Sequence, residues 1–133
     1  MNSFLIFFIL GVFILGIVVL FLISRRKKVI SEGAEGFVRN QWRMISHGAN
    51  PKNDIIEADK LLDFVLGKYG FKGSLGEKLK KSKRLFSDID GVWQAHKLRN
   101  KIAHQLNFTL SSKEVSVALA SFKKAFIDLK IRF

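Results

Sequence analysis

Residues 4–23 read FLIFFILGVFILGIVVLFLI, eighteen apolar residues and two glycines without a charge, and Arg25, Arg26, Lys27 and Lys28 follow at once. Twenty helical residues at about 1.5 Å rise cover roughly 30 Å, the hydrocarbon thickness of a bilayer, and a helix satisfies its own backbone groups there. The alternative, a buried core helix of a soluble protein, does not suit this length. A cleaved signal peptide carries its positive charge before the apolar run and small residues after it, the reverse of this order. Residues 1–24 therefore read as a retained single-pass anchor. Gly11 and Gly16 are five positions apart, so the anchor lacks a Gly-x-x-x-Gly dimer face.

Only Met1, Asn2 and Ser3 precede the run, whereas four cations follow it. The positive-inside rule then places the amino end outside the cell membrane and the carboxyl-terminal part in the cytoplasm. About 105 residues remain after these cations, enough for one small domain. Residues 25–36 carry charge and two glycines with little apolar periodicity and read as a basic juxtamembrane linker, either a stalk or a frayed helical continuation of the anchor, which leaves residues 37–133 for the domain.

The chain's net charge is +12, and without the juxtamembrane cations nineteen basic residues still face eleven acids. Such a domain suits anionic partners, whether phosphates of RNA or DNA, anionic lipids or an acidic protein, and a tether to anionic lipid or nucleic acid working by charge alone is one reading of it. The absence of cysteine excludes disulfides, thiolate catalysis and cysteine-ligated zinc. Five of the thirteen phenylalanines lie in the anchor, so their number is no sign of base stacking.

The domain reads as all-α, a compact bundle of four or five helices. Phe37, Val38, Trp42 and Ile45 mark a first helix ending near His47-Gly48. Asn50-Pro51 supplies a cap and a first-turn proline for a second, with Ile55, Ala58, Leu62, Val65, Leu66 and Tyr69 on one face and Gly70 as its stop. Ser74 and Glu77 have capping-box spacing for a third, with Leu75 and Leu79 inward, Leu85-Phe86 as further inward candidates, and Lys78, Lys80, Lys81, Lys83 and Arg84 on an outer face. Asp88 or Asp90 opens a fourth helix through Trp93, Leu98 and Ile102 to about Gln105. After the loop LNFTL, Ser111 and Glu114 open a fifth with Val115, Leu119, Phe122, Phe126 and Leu129 inward.

The fourth helix carries the chemistry. At 100° per residue Ala95, Leu98 and Ile102 share one face, and His96, Asn100 and His104 share the opposite one, with Arg99 at the border. Arginine supplies a planar fork, asparagine a donor and histidine a proton acceptor and donor near neutrality, a set suited to phosphate. The stripe of Trp93, His96, Asn100 and His104 is also left uncovered by the inward residues and is expected to form a dimer interface. Histidines on a helix face are nevertheless commonly solvated surface groups.

The run Arg99-Asn100-Lys101-Ile102-Ala103-His104 resembles the Arg, polar residue, then His motif of the HEPN superfamily, and the helix order over residues 37–133 is similar too. The resemblance implies a homodimer whose motif helices face each other. It also implies, in active members, a composite metal-independent endoribonuclease site, with Arg99 and His104 as catalytic residues and Asn100 as the supporting polar residue; His96 joins them by helical geometry. Inactive members of the superfamily bind RNA or serve in assembly, so a non-enzymatic dimerisation or recruitment module is the alternative. The basic face, Lys78, Lys80, Lys81, Lys83 and Arg84, would follow an RNA backbone or lie on anionic lipid. No cofactor or metal is expected: Asp88, Asp90 and His47 read as capping or loop residues, and His96 and His104 lie about 12 Å apart along one helix. Asp59, at the edge of the second helix's apolar face, is expected to reach water, with a pairing to Arg99 as the lesser alternative.

Overall fold

The structure, a computed structural model, describes residues 2–24 and 30–133. Among the described residues the chain is all-helical: α1 (Ser3–Ser24), α2 (Glu32–Ser46), α3 (Pro51–Lys68), α4 (Leu75–Ser82), α5 (Ile89–His104) and α6 (Ser112–Asp128), with a single 3-10 turn, Lys83–Leu85, after α4. Helix α1 is long and apolar enough to cross a membrane, with mean hydropathy 3.4 over its best window and none of that window buried. The four cations used to orient it lie outside the described residues.

Residues 30–133 form the bundle. Helix α3 packs against α2, α4, α5 and α6, and the most extensive pairing is α5 on α6. Its central place follows from its sequence. Asn50 accepts from the Asn53 amide at 3.2 Å, Pro51 occupies the first turn, and Ile55, Ala58, Leu62, Val65 and Leu66 are wholly buried. Each large one of these side chains contributes on the order of 1.5–3 kcal/mol of transfer free energy. The helix stops at Gly70, φ +90°, where the Phe71 amide reaches back to the Leu66 carbonyl at 3.1 Å. Both capping boxes form: Ser74 with Glu77 at α4, and Ser111 with Glu114 at α6.

Three expectations change. The first bundle helix begins at Glu32, capped by Ser31, rather than at Phe37, and Ile30 is buried, so residues 30–36 belong to the bundle and not to a linker. The segment's glycines hid a helix whose start is stabilised by tertiary contacts. Phe37, expected inside, is 47% exposed and leans on Phe64 at 5.2 Å between ring centroids. Leu85 is likewise exposed, because the 3-10 turn aims only Phe86 inward.

One contact ties the two ends of the bundle sequence. The buried Glu35 carboxylate accepts from the Arg132 backbone amide at 3.0 Å and from its Nε at 3.2 Å. Arg132 gets there because Lys130 adopts φ +66°, a left-handed turn that costs a non-glycine residue about 1–2 kcal/mol. That turn sends Ile131 into the core, with its amide on the Phe126 carbonyl at 3.0 Å. The hydrogen bonds from Arg132 hold the Glu35 carboxyl below its ordinary value of 4.5, and capping bonds do the same for Glu77 and Glu114. A depressed folded-state value means a contribution fully present above the unfolded value and lost as pH falls through the folded one. The melting temperature should therefore fall as pH drops from about 5 to 3, and Glu35→Gln should flatten that fall. Asp54, raised by burial, opposes the trend. Calorimetric melts across that range, wild type beside variant, check the expectation; parallel curves would contradict it.

Candidate functional site

Helix α5 starts where Asp88 accepts from the Gly91 amide at 3.0 Å, and it buries Val92 and Ala95 fully and Leu98 and Ile102 partly. The side turned to α3 carries the polar residues His96 and Arg99. Facing them, in the middle of α3, is Asp59, 4% exposed. A carboxylate this deep is stable only with partners, and it has two. His96 Nδ1 lies 2.8 Å from Asp59 Oδ1, and Arg99 Nε lies 3.4 Å from Asp59 Oδ2, the second a charge contact more than a directed hydrogen bond.

The four polar side chains close into a ring. Arg99 Nη1 donates to Asn100 Oδ1 at 3.1 Å, and the Asn100 amide nitrogen lies 3.5 Å from His96 Nε2. A His96 ring with a proton on Nδ1 fits these contacts, donating to Asp59 while Nε2 faces the Asn100 amide; Arg99 Nε is left with the charge contact alone. This tautomer and the Asn100 orientation are assigned from that network. Trp93 stands edge-on to the His96 ring at 5.9 Å, and its far edge lies over Gly76 of α4, where a β-carbon would meet it at 3.5 Å. Asp59 thus reaches the pairing, not the water.

The ring has a chemical consequence. His96 is held by Asp59 through Nδ1 and faces Asn100 through Nε2, which places it to position Arg99 through Asn100. His104 is different. It is the last residue of α5, exposed, and followed by Leu106, 96% exposed, and by Asn107 at φ +59°. Arg99 and His104 are five positions apart, about 140° around the helix and 7.5 Å along it. Within one chain they diverge.

The stripe expected for His96, Asn100 and His104 is therefore divided. His96 and Asn100 join the Asp59 ring, Trp93 covers Gly76 beside α4, and of the residues expected at a dimer interface His104 is the one left fully open. The expected basic face also loses a member. Lys78 is buried, with Nζ 2.8 Å from Asp63 Oδ1 and 3.1 Å from the Asp63 carbonyl oxygen. It shares the inner stripe of Leu75, Leu79 and Ser82 at helical spacing. Lys80, Lys81, Lys83 and Arg84 are exposed as expected. Lys81 turns back to the Lys72 carbonyl at 3.1 Å.

On the opposite side of α5, a groove of about 400 Å³ runs along α6, lined by Lys97, Lys101, Lys113 and Glu114 above Leu98 and Ala118. Residue order holds no sign of it, because Lys113 comes from another helix. Among the described residues no group of three or more His, Asp or Glu side chains could hold a metal ion. No protein-family model, no curated protein and no solved structure matches the chain.

Proposed function

We propose that this protein is a membrane-anchored HEPN-like domain that binds or cleaves RNA without a metal, working as a homodimer. The observation that carries the reading is the Asp59–His96–Asn100–Arg99 ring, which holds the guanidinium of the motif arginine at 28% side-chain exposure while the motif histidine stays free at the end of the same helix. Phosphate needs such a fixed, partly open fork. Because Arg99 and His104 diverge within one chain, a productive pair takes one residue from each of two copies. His104 would move the proton of a ribose 2′-hydroxyl, and Arg99 would stabilise the charge on the five-coordinate phosphorus. The attacking 2′-oxygen forms a bond to phosphorus as the 5′-oxygen leaves, giving a 2′,3′-cyclic phosphate and a 5′-hydroxyl. An RNA-cleavage assay with EDTA present tests this.

A second reading has its own support. Asp59 already neutralises Arg99, as it would if the ring served only to join α3 to α5 in a non-enzymatic dimerisation or recruitment module. Retained dimerisation without cleavage selects it. In either case the dimer contact is expected around His104 and Leu106, an apolar side chain with almost no cover. Sedimentation should show a dimer at tens of micromolar, roughly the range of weak assemblies, and Leu106→Ser should weaken it about tenfold or more while Lys81→Ala leaves it unchanged. A monomer at that concentration removes the composite site.

In this reading α1 is retained in the membrane, the amino end lies outside and the bundle faces the cytoplasm, since Arg25, Arg26, Lys27 and Lys28 lie on the bundle's side of the span. A reporter fused after Phe133 should be active only in the cytoplasm. The opposite pattern separates the bundle from cellular RNA.

A further inference from the structure

We infer that the corner of the bundle formed by Arg39, Lys123, Lys130, Arg132 and Phe133 docks on anionic lipid headgroups of the membrane in which α1 is held. The inference rests on the membrane reading of α1 and is independent of any action on RNA. Three observations converge on it. The Glu35–Arg132 bond brings the carboxyl-terminal segment beside the start of α2, only a few residues after the chain leaves α1. Whatever path residues 25–29 take, six Cα steps separate Ser24 from the buried Ile30, which bounds the tether at about 22 Å. This corner is thus held near the bilayer surface.

The corner also has the chemistry of a lipid-facing surface. Phe133 is 46% exposed, with its inner edge on Trp42 and Phe126 and the Lys123 ammonium 5.9 Å from its centroid. Arg39 reaches the Arg132 carbonyl oxygen with Nη1 at 3.3 Å, and the Arg132 side chain is 78% exposed. Lys130 is exposed two residues before it. Against these four cations stand Glu35, already engaged by Arg132, and the exposed Glu32, whose charge Arg132 also senses. The balance is positive. An exposed aromatic ring among long cationic side chains suits the interface, where the ring sits among headgroups and the cations meet phosphates.

The bundle's other end supplies the control. Lys52 and Ser112 line a common groove, so the start of α6 lies at the Asn50–Pro51 end of α3, and α6's seventeen residues separate the two ends by about 25 Å. Lys52 and Lys113 are there, away from the proposed contact.

The full chain, reconstituted in lipid nanodiscs of zwitterionic lipid or of the same lipid with about a third anionic phosphatidylglycerol, would be acetylated briefly and its lysines quantified by mass spectrometry. Lys123 and Lys130 should react about threefold or more slowly in the anionic discs, with Lys52 and Lys113 unchanged, and about 0.5 M salt should remove the difference. Phe133→Asp should abolish the protection without lowering the melting temperature by more than a few degrees. Equal rates in both lipids overturn the inference, as does protection that survives both salt and Phe133→Asp, which would mark a protein contact. Protection that requires added RNA and ignores lipid charge overturns it in favour of nucleic acid. A chain that does not stay with the discs removes the tether and, separately, the membrane reading itself.

Discussion

Asp59→Ala should lower the unfolding free energy by about 1–3 kcal/mol, the usual cost of leaving buried polar groups unsatisfied, because it strands His96 and the partly open Arg99 opposite an empty site between α3 and α5. Against a typical total of about 5–15 kcal/mol this is a large loss for one residue outside the apolar core. Asp59→Asn should cost distinctly less, since a carboxamide still offers an oxygen to the His96 Nδ1 proton. Denaturant unfolding of both variants beside Lys60→Ala, an exposed α3 site whose pairing with Glu57 contributes little, measures the difference. Equal midpoints for Asp59→Ala and wild type would mean that the ring is not formed in solution. A double-mutant cycle with Arg99→Ala then apportions the loss, and coupling between the two substitutions is expected because they share one network.

Wild-type protein should cleave RNA in EDTA and leave 2′,3′-cyclic phosphate ends, and Arg99→Ala and His104→Ala should each lower that activity by about two to four orders of magnitude, the ordinary worth of a proton-transfer or charge-stabilising group. The two variants should differ in stability. His104 is exposed at the end of α5, so its loss should leave the melting temperature nearly unchanged, whereas Arg99→Ala breaks the ring and should lower it. Mixing the two inactive variants gives a sharper test. If the site is composite, a heterodimer carries one intact Arg99–His104 pair and should recover a fraction of wild-type cleavage. A DNA strand of the same sequence should survive, for want of the 2′-hydroxyl. Absent wild-type cleavage, or cleavage indifferent to both substitutions, leaves the non-enzymatic module as the reading.

Much of the architecture was legible from residue order because it depends on local rules. The apolar span of α1, the Asn50–Pro51 start and Gly70 stop of α3, and the capping boxes at Ser74 and Ser111 each rest on interactions within a few residues, so spacing determines them. The inner face of α3 was equally readable, since six apolar residues at helical spacing leave one way to bury them.

What only the tertiary structure decided is how each helix turns about its axis and which charge meets which. Residue types placed the inner face of α5 on Ala95, Leu98 and Ile102; packing against α3 and α6 centres it nearer Val92, Ala95 and Arg99 and carries His96 inward to Asp59. Lys78 reads as a surface lysine by type, yet lies on the inner stripe of α4 because Asp63 of α3 is there to receive it. Glu35 looked like part of a linker until Arg132, ninety-seven positions away, made its burial tolerable. A charged side chain enters a core only where a partner from elsewhere in the chain waits for it, and that partner has no trace in local periodicity.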